Sequence, residues 1–119
     1  MTRDELRNYC LSLTAATEDF PFGLDVAVFK VKGKMFALLP VQQTPQTISL
    51  KADPVEVPLL RQKYEAVQPG YHLNKTHWNT VTVNSDLPDE EVLAMVEDSY
   101  LLVRQNLPKK VQKELEGME

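Results

Sequence analysis

Both histidines and the only tryptophan of this chain fall in one stretch, His72-Leu73-Asn74-Lys75-Thr76-His77-Trp78-Asn79-Thr80-Val81-Thr82-Val83. Imidazoles, amides, an ammonium and hydroxyls crowd its first half, so it could ligate a metal, move a proton or grip a phosphate or a base edge. Spacing separates these chemistries. His72 and His77 are five apart, whereas a helical zinc pair needs three or four so that both rings share a face. On a strand, a separation of five puts them on opposite faces. No cysteine is near, and no carboxylate lies between Glu65 and Asp86. No metal site is expected, and each imidazole is left to hydrogen-bond the loop backbone or to offer a donor to a ligand.

Covalent catalysis has equally little to work with. Ser49, Ser85 and Ser99 lie outside any Gly-x-Ser-x-Gly elbow, and the lone Cys10 has no matched histidine motif. With no second cysteine there is no internal disulfide, and Cys10 reads as a small buried hydrophobe on a helix. The glycines at 23, 33, 70 and 117 are too scattered for a phosphate loop. Asp86, Asp89, Glu90, Glu91, Glu97 and Asp98 form an acidic set, but carboxylates in a first helical turn oppose the positive end of the macrodipole without any ligand. The expectation is a protein that is not an enzyme and needs no cofactor.

Anion binding is better supplied. Lys30, Lys32, Lys34, Lys51, Arg61, His72, Asn74, Lys75, His77 and Asn79 form a basic and polar set. Lysine suits phosphate as a point charge, and asparagine can pair with an adenine edge. The formal net charge of −4 works against loose nucleic-acid binding. Its distribution is uneven, however. Residues 1–29 sum to −3 and residues 78–119 to −5, while residues 30–77 hold seven basic side chains against three acidic ones, a balance of +4. A basic middle between acidic ends predicts a polarised surface; a merely solvated basic face is the plainer reading.

The elements that must position these residues can be read in order. Thr2 and Glu5 form a Thr-x-x-Glu capping box, and Leu6, Tyr9, Cys10 and Leu13 follow at helical spacing. Thr14, Thr17 and Phe20-Pro21-Phe22-Gly23 read as loop, with Phe20 and Phe22 anchoring it to the core. Val26–Val31 and Met35–Leu39 are strands joined by a Lys32-Gly33-Lys34 turn, the clearest hairpin of the chain. Thr47–Ala52 alternates as a third strand, with Ile48 and Leu50 inward. Asp53-Pro54-Val55-Glu56 starts a helix, bent by Pro58. Val67–Tyr71 is a turn or a short edge segment. From Trp78, alternation resumes: Trp78, Thr80 and Thr82 point one way, Asn79, Val81 and Val83 the other. After Leu87-Pro88 comes the longest helix, with Val92, Met95, Val96, Ser99 and Val103 on one face. Ser99 is expected to bond back to its own helix carbonyls, and the off-stripe Ala94 and Leu101 to accept the last helix, with a partner subunit as the alternative. Leu107, Val111 and Leu115 form that helix's stripe.

The predicted fold class is therefore α+β: one domain over residues 1–119, an antiparallel sheet with helices packed on one face, in the order α-β-β-β-α-β-α-α. At 43% hydrophobic and 25% charged residues, the composition is that of a globular protein. No apolar run approaches the ~20 residues of a membrane span, and Met1-Thr2-Arg3-Asp4-Glu5 lacks the start of a signal peptide, so a cytoplasmic location is expected by default.

The chain resembles the MmcQ/YjbR family of small bacterial proteins. The likeness runs over nearly the whole length and is strongest in His72-Leu73-Asn74-Lys75-Thr76-His77-Trp78-Asn79-Thr80-Val81; Pro69, Leu87-Pro88-Asp89 and Asp98-Ser99-Tyr100 fit it too. The resemblance implies a frataxin-like fold and binding to double-stranded DNA through a "double wing". Its segments here would be the Lys30–Lys34 hairpin tip and the loop from His72 to Asn79. An iron site on an acidic ridge, which the frataxin likeness also suggests, is a fold-level analogy that transfers no residue. Two readings stay open: a DNA-binding protein, or a protein-interaction or small-ligand module without catalytic activity that uses the same loop. In the second, Asn74 and Thr76 are turn residues that shape the loop.

Overall fold

The computed structural model describes residues 1–70 and 73–119. The elements run α1 (Arg3–Ser12), β1 (Ala16–Asp19), β2 (Val26–Val31), β3 (Lys34–Pro40), β4 (Thr47–Lys51), α2 (Glu56–Lys63), β5 (Val67–Pro69), β6 (Trp78–Thr82), α3 (Asp89–Gln105) and α4 (Lys109–Gly117). All strand pairings are antiparallel, in the spatial order β1-β2-β3-β4-β6-β5. The α+β architecture is as expected; β5 is the short edge segment that its stretch allows as the alternative to a turn, and β1 is a further edge strand. β1 forms in a stretch whose residue types favour a loop: Ala16 to Asp19 pair with Val31 to Val28. Four residues with one partly buried face give too short an alternation to stand out in a sequence.

One face of the sheet and the four described helices share a core, against which Leu60 of α2 packs. Ala27, Phe29, Val31, Leu39, Ile48, Leu50, Val67 and Val81 meet Leu6 and Cys10 of α1, Val92, Val96 and Tyr100 of α3, and Leu115 of α4. In α1 the Thr2 hydroxyl accepts from the Glu5 amide at 3.1 Å, as the capping box requires. Phe20, Phe22 and Leu24 do not anchor their loop; they are 37%, 65% and 82% exposed. Ala94 and Leu101 are not covered by the last helix. α4 directs Val111 and Leu115 into the common core instead, and Ala94 and Leu101 stay exposed in a groove beside α2.

The β2–β3 hairpin closes on Lys32 and Gly33, with φ of 50° and 80°. Positive φ at both central residues is the geometry whose twist matches flanking strands, so Lys32 occupies a conformation that costs a side chain of its kind about 1–2 kcal/mol. Further along, Phe29 faces Ala37 while Lys30 faces Met35, leaving Phe36 as the extra residue of a bulge. The bulge turns Phe36 into the core, edge-on to Tyr100 at 5.4 Å. Ser99 then bonds across to the sheet and not back to its helix. Its hydroxyl donates to the Phe36 carbonyl at 2.5 Å and accepts from the Lys51 amide at 2.9 Å. A fully buried serine thus pairs backbone groups that the bulged ladder leaves over.

Candidate nucleic-acid interface

Strand direction decides which of the singled-out residues meet. β3 runs away from the Lys32-Gly33 turn, β4 returns towards it, and β6 starts opposite the end of β4, with Lys51 beside Trp78. The hairpin tip, the last residue of β4 and the loop preceding Trp78 therefore emerge at one end of the sheet. β3 and β6 flank β4, so the two projections are rooted about 10 Å apart, twice the strand spacing.

The loop is built by backbone contacts. The Asn74 carbonyl accepts from the amides of His77 and Trp78 at 3.2 and 3.0 Å, and its side-chain oxygen accepts from the Thr76 amide at 2.9 Å. The His77 carbonyl accepts from the Ala52 amide at 3.1 Å, tying the loop to the segment after β4. Gly70 donates to the Trp78 carbonyl at 3.3 Å, and a Cβ at position 70 would lie 3.1 Å from the Trp78 Cβ and 3.3 Å from the Leu73 Cβ. Glycine lets position 70 lie this close to Trp78 and Leu73 without displacing either. Trp78 is 5% exposed although it lies with Ser49 and Thr80 on the face that the helices do not cover. The Lys51 ammonium stands 5.7 Å from its ring centroid.

Arg61 of α2 is the clamp. Its Nε donates to Asn79 Oδ1 at 2.6 Å, and Nη2 donates to the carbonyls of Trp78, at 3.1 Å, and Lys75. Asn79 is 1% exposed and its amide nitrogen donates to the Val57 carbonyl at 3.3 Å. The singled-out residues thus divide. Arg61 and Asn79 hold the loop from within, and the exposed Asn74 braces it through its side-chain oxygen. Lys34 and Lys75 are exposed and form no ion pair among the described residues. Lys32 lies 3.8 Å from Glu114 of α4, and Lys30 lies 3.2 Å from Asp19 on the helix-free face. Lys51 is half-buried over the indole, and the partly exposed His77 contributes its backbone. His72 lies outside the described residues. Arg61 looked like a phosphate ligand in sequence. Its forked guanidinium matches several carbonyl and amide oxygens at once, but nothing in its spacing announced that the loop would pass beneath α2.

Among the described residues, no group of three or more His, Cys, Asp or Glu side chains is placed to hold a metal ion, and no helix is long and apolar enough to cross a membrane. Asp86, one of the acidic set, is structural: its two carboxylate oxygens accept from the Glu65 and Ala66 amides, each at 2.9 Å, where the chain turns into β5.

A family model, YjbR, matches residues 11–102. The Escherichia coli K12 protein described as "Uncharacterized protein YjbR" is 34% identical over 113 residues, 95% of this chain and 96% of that protein. "Uncharacterized protein YbdF" of E. coli O157:H7 is 37% identical over 94 residues, 79% of this chain and 77% of that one. Among solved structures, Deinococcus radiodurans protein DR2400, with its DUF419 domain, superposes with a TM-score of 0.91 at 42% identity, over 99% of this chain and 89% of that one. A crystal structure from Pseudomonas syringae gives 0.74 at 32% identity, covering 86% and 98%.

Proposed function

Since the chain belongs to the YjbR family, we propose that it is a non-catalytic binding protein that grips the phosphate backbone of double-stranded DNA with two projections from one end of its sheet. The observation that carries this reading is the common placement of the Lys32–Lys34 tip and the Lys75 loop on either side of β4. Lys34 and Lys75 supply exposed ammonium groups, and Lys32 exchanges its 3.8 Å contact with Glu114 for a phosphate. Base reading is not part of the proposal, because Asn79 is internal and the Asn74 side-chain oxygen is engaged in its own loop. Binding is therefore sequence-independent, modest in affinity and sensitive to salt.

With three phosphate contacts, affinity should fall about 40-fold between ~50 and ~200 mM salt, from a log–log slope of about −0.9 per contact. Fluorescence anisotropy with a labelled duplex reads this directly, on the wild type and on Lys32→Glu/Lys34→Glu/Lys75→Glu. Absence of binding by the wild type at low salt, or equal binding by the triple variant, removes the DNA reading. A protein-interaction or small-ligand role for the same loop would then take its place.

A further inference from the structure

We propose that the groove between α2 and α3 docks an amphipathic helix of a partner protein that carries basic residues beside its apolar stripe. The groove encloses about 560 Å³ over the β4 end of the sheet. Leu59 and Leu60 of α2 line one wall, and Met95, Leu101 and Leu102 of α3 the other. No described element covers it, since α4 packs into the common core.

Two features point to a helix and not to a small molecule. Apolar surface spills over both lips: Leu59 is 56% and Leu101 37% exposed. A ligand sunk between the walls leaves these uncovered, whereas a helix laid along the groove buries them, in the manner of helix-in-groove recognition. The exposed Ala94 in the α3 wall leaves room for a close approach.

Charge selects the partner's sign. Asp53, Glu56, Glu91 and Asp98 line the groove, against Lys51 and Lys63. The Lys51 ammonium is drawn over the Trp78 ring on the opposite face of the sheet; that of Lys63 stays at the groove, 5.1 Å from the ring centroid of the lining Tyr64, and four carboxylates against this one ammonium leave the lining acidic. Within the Asp98-Ser99-Tyr100 triplet, the Ser99 and Tyr100 side chains are committed to the Phe36 and Thr14 carbonyls, while the Asp98 carboxylate makes no hydrogen bond or ion pair among the described residues. A second copy of the chain would set these carboxylates against their own likes, and nucleic acid would meet an acidic, apolar surface. A basic helix meets complementary charge on both flanks. This site is separate from the lysines assigned to DNA, so either proposal can fail alone.

The probe is a labelled synthetic helix of ~15 residues with leucines at helical spacing flanked by lysines, compared by anisotropy with a twin carrying glutamate for lysine. The lysine peptide should bind and the glutamate twin should not. Leu59→Glu/Leu101→Glu, both surface changes, should weaken binding about tenfold or more. Asp98→Lys should weaken it comparably, while Asp25→Lys, the same charge change in the exposed loop before β2, should leave it within about twofold. Equal binding of the two peptides, an unaffected Leu59/Leu101 variant, or an Asp25→Lys loss matching that of Asp98→Lys overturns the proposal. So does a dimer in sedimentation that the Leu59/Leu101 variant splits, because the occupant is then a second copy.

Discussion

Trp78 has an unusual position for a buried aromatic. It is 5% exposed, yet it belongs to the sheet face that carries no helix. On that face Gly70 packs close to its Cβ and the Lys51 ammonium stands beside its ring. Replacing it with alanine removes a large apolar surface and the support of the loop together. Trp78→Ala is expected to cost on the order of 3–5 kcal/mol, the range for deleting a buried large aromatic, measured as a lower urea midpoint. Iodide should quench the native fluorescence poorly; free quenching would mark the ring as exposed and make it a candidate for stacking on a ligand. Cys10 is the opposite case, a fully buried thiol whose pKa burial pushes up to about 12. It is inert at neutral pH for the same reason that it packs well.

Among the elements, α2 does more than cover the sheet. Through Arg61 it holds the end of the 73–77 loop and the first residues of β6, so the projection carrying Lys75 is positioned from above by a helix. Arg61→Ala leaves the buried Asn79 side-chain oxygen without a donor and the Trp78 carbonyl with Gly70 alone, an expected loss of about 1–3 kcal/mol from the cost of an unpaired buried group. Arg61→Lys should recover only part of it, because one ammonium cannot reproduce the fork. Hydrogen exchange at the His77 and Trp78 amides should accelerate in both variants, with the distant hairpin amides of β2 and β3 much less affected. A lysine variant as stable and as protected as the wild type would show that charge, and not the forked geometry, holds the loop.

At the scale of the whole molecule, the dependence of stability on pH should have two limbs with separate origins. On the acid side, the hydrogen bond from Arg7 holds the Glu18 carboxyl below its ordinary value. A depressed folded pKa contributes stability that is present above the ordinary carboxylate value and lost as pH falls through the folded one. On the alkaline side, Cys10 is raised from 9.0 to about 12. Its contribution is complete below about pH 9 and declines as pH climbs towards 12, because the unfolded thiol ionises first. Urea midpoints measured across pH should therefore fall at both ends. Glu18→Gln should shrink the acid limb, to which Asp19, held low by the Phe20 amide and Lys30, also contributes, and Cys10→Ala the alkaline one, which Tyr9, raised by burial and Glu97, shares; each should leave the other limb in place. An alkaline limb unchanged in Cys10→Ala would assign it to other groups.

Sequence by itself determined the parts whose physics is local. The Thr2–Glu5 box, the Val26–Leu39 hairpin, the alternation from Trp78 to Val83 and the stripe of α3 are written in neighbouring residues, and together they specify an antiparallel sheet with helices on one face. The loop before Trp78 was legible as a cluster of polar groups for the same reason. Tertiary structure decided which of those groups are available. Arg61 and Asn79 turned inward because α2 crosses the loop, and Lys32 approached Glu114 because α4 ends near the hairpin tip. Ser99 bonded to the sheet because a bulge one layer away left a carbonyl free. Ala94 and Leu101 became the wall of a groove because α4 packed elsewhere. Each of these outcomes joins residues distant in the chain, and a spacing rule, which holds only within one helix or strand, carries no term for them.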